Sequence, residues 1–139
     1  MVPVGASAQT EKVYRPLDAG VNEYQTLADA FVEANKVDEE KGVAIVHPKP
    51  GSDIYLIAKQ WQWSPILELE AGQTYTLHVS SLDVQHGLSI QPINLNLQIF
   101  PGYDFIMKIT PNQAGEYSLW CNEFCNIGHH LMTGKIIVK

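Results

Sequence analysis

The sequence predicts an all-β domain, a Greek-key sandwich or barrel, carrying a short helical appendage on its N-terminal side. Three observations predict it: short apolar or alternating runs follow one another beyond residue 50, Gly- and Pro-containing turn signals divide them, and one earlier stretch has helical spacing instead. At 139 residues the chain suits one domain with its own core.

Residues 1–42 are expected to form the lead-in and appendage, and residues 43–139 the β domain. From about Asp18 to Val37, the residues Val21, Tyr24, Leu27, Ala28, Phe31 and Val32 recur at steps of three and four, while Asp29, Glu33 and Lys36 suit the outer side. Asp38-Glu39-Glu40-Lys41-Gly42 is expected to end this helix in a polar turn. After Pro48-Lys49-Pro50-Gly51, strands are expected over Ile54–Ala58, Thr74–Val79, Asn94–Ile99, Asp104–Ile109, Gly115–Trp120 and Gly134–Val138. Glu70-Ala71-Gly72, Phe100-Pro101-Gly102 and Pro111–Gly115 supply the turns between them. Many short strands at this spacing fit a sandwich or barrel.

Hydrophobic residues make up 45% of the chain and charged ones 17%, a globular balance. The net charge of −6 argues against nucleic acid, which needs clustered Lys and Arg. No run of 18 apolar residues is present, and no basic, apolar and small-residue series marks a signal peptide. The small, uncharged opening Met1–Ala8 is expected to lie just outside a further segment.

The chemistry is concentrated in Cys121-Asn122-Glu123-Phe124-Cys125-Asn126-Ile127-Gly128-His129-His130-Leu131-Met132, between two apolar strands. Soft thiolates and a thioether beside imidazole favour copper. One Cys with His and an axial Met makes a mononuclear site; two Cys four residues apart can instead bridge two ions. A further ligand must come from elsewhere, and His86 is the candidate, in a loop after a strand with Gly87 leaving room beside it. A Cys121–Cys125 disulfide faces demanding geometry and leaves His86, His129 and Met132 unexplained. A Cys2His2 zinc site is the stronger rival, although Met132 then has no role. His130 competes with His129 as the loop ligand. No nucleophile with a base and no phosphate loop is present, so substrate chemistry is not expected within this chain.

The pattern His86, then Cys121-x-Glu123-x-Cys125-x3-His129-x2-Met132, resembles the CuA domain of subunit II of haem-copper cytochrome c oxidases. Gln60-Trp61-Gln62-Trp63 resembles the aromatic segment that precedes that site, and the likeness spans roughly Ile54 to Lys139. It implies a cupredoxin-like fold and a binuclear copper cofactor. Cys121 and Cys125 would bridge both coppers, His86 and His129 would be terminal nitrogen ligands, and Met132 a weak sulfur ligand. Glu123 would ligate through its backbone carbonyl, with its carboxylate near a magnesium ion at the interface with the catalytic subunit. Trp61 or Trp63 would mark electron entry from a cytochrome c-type donor. The partner receiving electrons would be the haem-bearing subunit I, at the outer, periplasmic face of the cytoplasmic membrane, reached through N-terminal membrane helices or that partner. The domain would not be catalytic on its own. Nitrous oxide reductase carries a similar loop, with an aromatic residue where this chain has Glu123, which favours the oxidase reading. The rival readings of the same residues are a nitric oxide reductase domain, a mononuclear cupredoxin and a copper carrier.

Leu88, Phe124, Ile127 and Leu131 are available as an apolar shell around the metal. Of Trp61 and Trp63, one is expected in the core and one at the surface. Tyr55, Tyr75 and Tyr117 are expected as sheet residues, Met107 as core, and His47 and His78 as structural or solvated.

Overall fold

A computed structural model describes residues 13–59, 62–91, 95–121 and 133–139. The chain begins with β1 (Val13–Pro16), α1 (Val21–Asn35), β2 (Lys36–Glu40) and β3 (Val43–Val46). It continues with β4 (Asp53–Lys59), β5 (Gln62–Ser64), β6 (Ile66–Leu69) and β7 (Tyr75–Ser81). The last elements are β8 (His86–Gln91), β9 (Leu95–Ile99), β10 (Tyr103–Ile109), β11 (Gly115–Cys121) and β12 (Thr133–Val138). The strands form one curled sheet in the order β1-β10-β7-β4-β5-β12-β11-β8-β9, with a β2-β3-β6 branch joined to β12. Neighbours distant in sequence, such as β10 beside β7 and β4 beside β7, show the crossovers that close the core.

Alternation drives the central strands. Ile54, Leu56 and Ala58 of β4, Phe105, Met107 and Ile109 of β10, and Tyr117, Leu119 and Cys121 of β11 all point into one apolar cluster. Gly72 and Gly102, both with φ of 84°, make the turns where the sequence places them. The helix buries Tyr24, Ala28 and Phe31, at the four- and three-residue steps of one face. Tyr24 anchors it by donating from Oη to the Leu56 carbonyl at 2.9 Å.

Several elements depart from expectation. The polar turn over Asp38–Gly42 is instead strand β2 followed by a tight turn at Lys41 and Gly42, both with positive φ. All of β2 is exposed, so it has no buried face to leave an alternating pattern, and its charge suits a sheet edge. β8 escapes the alternation test for the opposite reason: His86, Leu88, Ser89 and Ile90 are all buried, so polar and apolar residues do not sort by face. His86 is therefore the first residue of a strand and not part of a loop. The four-residue strands β1, β3 and β6 and the three-residue β5 are too short for a periodic signal.

A polar network centred on buried His78 and Asp104 ties the N-terminal elements to the sheet. His78 on β7 meets Asp104 of β10 at 2.8 Å through Nδ1 and Asp53 of β4 at 2.9 Å through Nε2. Its ring stacks on Tyr55 with centroids 4.4 Å apart. Asp104, fully buried, also takes Arg15 of β1 at 3.4 Å, and Arg15 reaches Glu23 of α1 at 3.3 Å. The structural reading of His78 holds.

Burial alone would lower the His78 pKa, but the hydrogen bonds and charges of Asp104 and Asp53 outweigh it and raise the pKa above 6.5. A raised folded-state pKa stabilises the fold fully below the unfolded value, and that contribution is lost as pH rises through the folded value. Thermal stability should therefore decline as pH climbs above 6.5, and His78→Gln should flatten that part of the profile; a wild-type midpoint that rises over the same window would contradict the sign.

Candidate metal centre

The site begins with strand register. β8 and β11 run antiparallel with Leu88 opposite Cys121, so His86, two residues before Leu88, stands just beyond the end of β11. On the other side of β11, Trp120 pairs with Thr133 of β12. β11 thus ends at Cys121, and its neighbour β12 begins at Thr133. The segment between carries the expected ligands Glu123, Cys125, His129 and Met132, which lie outside the described residues, as do Trp61, Phe124, Ile127, His130 and Leu131.

Of the expected ligands, the structure brings His86 and Cys121 together. His86 is fully buried, Cys121 is 7% exposed, and Nδ1 lies 4.0 Å from Sγ. The other imidazole nitrogen is committed: Nε2 lies 2.8 Å from Asp83 Oδ1. A carboxylate oxygen only accepts, so Nε2 carries the hydrogen and Nδ1 presents its lone pair towards the sulfur. Asp83 is itself held. Its Oδ1 accepts from the Val84 amide at 2.6 Å, and its own amide donates to Ser81 Oγ at 3.1 Å. Ser81 Oγ closes the turn through a short contact with the Val84 carbonyl oxygen.

Apolar packing completes the surroundings. Leu88 and Ile99 are fully buried, and Ile99 pairs with His86 across β8 and β9. Trp63 of β5, 1% exposed, turns its ring edge-on to His86 at 6.0 Å. Trp63 is thus a core residue, while Trp61 lies outside the described residues. Residues two apart on a strand share a face, so spacing alone gave no ground for separating them. Trp63 Nε1 is buried with no hydrogen-bond partner among the described residues. Gly134 makes the close approach of β5 and β12 possible, since a Cβ there would lie 2.6 Å from Trp63 Cβ and 2.9 Å from its carbonyl oxygen.

Among the described residues, no group of three His, Cys, Asp or Glu side chains is placed to hold a metal. The two donors present do fit one. Metal–imidazole and metal–thiolate bonds of about 2.0 Å and about 2.3 Å together slightly exceed the 4.0 Å gap, so one ion can touch both. Asp83 is the functional residue that motif reading passed over. Its signal was the three-residue step to His86 within a Ser-x-Asp turn.

Fold and site together define a cupredoxin-type curled β-sheet with an imidazole–thiol pair at one end. No family model matches the chain. Cytochrome c oxidase subunit 2 of Thermus thermophilus is 32% identical over 98 residues, covering 69% of this chain and 73% of the relative. A second protein of that name, from a particular strain of the same organism, matches at 32% over 58% of its own length, so the chain spans little more than half of it. Heme-copper oxidase subunit 2 of Aeropyrum pernix is 42% identical over 62 residues, 43% of this chain and 26% of that one. The chain belongs to the cytochrome c oxidase subunit 2 family. Among solved structures, a heme-copper terminal oxidase dimer matches at TM-score 0.58 and 27% identity, over 83% of this chain and 90% of that one. The periplasmic domain of oxidase subunit II from Bradyrhizobium japonicum shares the fold at TM-score 0.58 and 18% identity, over 66% and 86%. Rusticyanin does so at 0.54 and 17%, over 93% and 97%.

Two substitutions test this geometry. Asp83→Asn keeps the shape but removes the acceptor charge, and should weaken copper affinity about 10–100-fold in chelator competition; unchanged affinity would contradict the orienting role. Gly134→Ala should cost about 1–3 kcal/mol in denaturant unfolding, because β5 and β12 must separate to admit the methyl group.

Proposed function

We propose that the chain is a one-electron carrier domain built around a binuclear copper centre, taking electrons from a cytochrome c-type donor and passing them to the haem-bearing subunit of a terminal oxidase. The observation that carries this reading is the buried His86–Cys121 pair, with Nδ1 facing Sγ at 4.0 Å at the end of β11, next in sequence to the Cys- and His-bearing segment. Cys121 and Cys125 would hold the coppers through their thiolates, His86 and His129 would supply nitrogen ligands, Met132 a weak sulfur ligand and Glu123 a backbone-carbonyl ligand. The Glu123 carboxylate would then serve a magnesium ion at the subunit interface. The family relationship supports association with a heme-copper oxidase complex at the outer face of a membrane. No described helix is long and apolar enough to cross one.

One-electron oxidation and reduction is the chemistry that copper supplies in such a ligand set. The protein's own part is restraint. Asp83 fixes the His86 tautomer and ring plane, and the β8–β11 ladder fixes the spacing of the two donors. Leu88, Ile99 and Trp63 keep water from His86. Donors that hardly move between redox states leave little structural rearrangement to oppose electron transfer.

Two variants test the ligand assignment by copper quantitation and optical spectroscopy. Cys125→Ser should lose one copper or both, together with the parent spectrum; a variant retaining both would contradict bridging. Met132→Leu should keep its copper and shift the reduction potential, since a weak ligand tunes more than it holds; complete loss of metal would contradict that role.

A further inference from the structure

Trp120 breaks the pattern of its own strand. Along β11 the inward positions are Tyr117, Leu119 and Cys121, and the outward ones are Glu116, Ser118 and Trp120. Glu116 and Ser118 suit a row facing solvent. An indole does not, because leaving a large apolar side chain in water forfeits about 1.5–3 kcal/mol of burial. Trp120 nevertheless keeps 44% of its surface exposed. Its cross-strand partners are Ser89 on β8 and Thr133 on β12, too small to cover the ring. Ser89 pairs in turn with Asn96 of β9. Among the described residues, an exposed indole flanked across both neighbouring strands by Ser89 and Thr133 has the anatomy of an interface anchor.

Its position relative to the site gives the anchor a purpose. One peptide link joins Trp120 to Cys121, whose sulfur faces His86. The two donors are themselves closed off by burial, and so is Trp63. Electron transfer between proteins weakens steeply with the gap between redox groups. A π-system that joins a ligand's backbone to the surface shortens that gap. Charge indicates the kind of partner: the chain carries net −6, Glu116 is exposed on the same outward row, and an indole face attracts Lys and Arg.

We propose that Trp120 is the docking anchor through which the buried site exchanges electrons with a one-electron redox protein bearing a basic contact face. This rests on the reading of the site as a copper electron-transfer centre.

The test is stopped-flow reduction of the copper-loaded wild type, Trp120→Ala and Trp120→Phe. A basic ferrocytochrome c serves as protein reductant and is oxidised as the site is reduced; ascorbate is the small reductant. With the cytochrome, Trp120→Ala should lower the second-order rate constant about tenfold or more, the loss expected of one anchor residue. Trp120→Phe should recover most of it, and the wild-type rate should fall as salt is added. With ascorbate, all three proteins should react alike, with the parent absorption spectrum intact. An unchanged cytochrome rate in Trp120→Ala, or an equal loss with ascorbate, overturns the proposal. So does a slowing confined to Tyr103→Ser, which would move docking to the exposed Tyr14, Phe100 and Tyr103 cluster. A copper-loaded wild type that neither reductant bleaches overturns the electron-transfer reading itself, a failure distinct from the others.

Discussion

The register between β8 and β11 is the constraint on which the rest of the site depends. Leu88 opposite Cys121 places the first residue of one strand beside the last residue of the other, and so an imidazole beside a thiol. A slip of one residue would turn His86 and Cys121 to opposite faces of the sheet. The register is held from both sides: Leu88, Ile90, Leu119 and Cys121 all belong to the apolar core, and exposing any of them would cost burial energy. The same hydrophobic pattern that closes the core therefore also sets the distance between the two proposed metal donors. Asp83 refines what the register begins, because its turn fixes which imidazole nitrogen faces the sulfur.

The molecule keeps its two histidine–carboxylate arrangements apart and uses them differently. At the metal end, Asp83 meets one imidazole nitrogen and leaves the other directed at Cys121. In the His78 network both nitrogens are occupied, by Asp104 and Asp53, so no lone pair remains for a ligand. That imidazole acts as a bracket joining β4, β7 and β10, and through Arg15 and Glu23 it reaches β1 and α1. The N-terminal elements are thus tied to the sheet by charge as well as by the apolar face of α1.

Six of the twelve described strands were legible in the sequence, and β4, β10 and β11 show why: their inward residues alternate. What escaped did so for physical reasons. β2 has no buried face, β8 has residues of every kind buried, and the shortest strands offer too few residues for a period. At the site, the ligand types and spacing in the sequence pointed to His86 and Cys121. Asp83 did not stand out, since an aspartate in a turn is ordinary until its carboxylate is seen against an imidazole. Trp120 was hidden in the same way, because strand patterning says which face a residue takes but not whether neighbours such as Ser89 and Thr133 leave it uncovered.

In the proposed centre, two thiolates, two imidazoles and a thioether would gather around a pair of coppers at this end of the sheet. Low-temperature electron paramagnetic resonance of the oxidised, copper-loaded chain tests it most directly. The predicted result is one unpaired electron shared equally, with hyperfine splitting from two equivalent copper nuclei. Splitting from a single nucleus, or a silent protein that takes up zinc in place of copper, would contradict it.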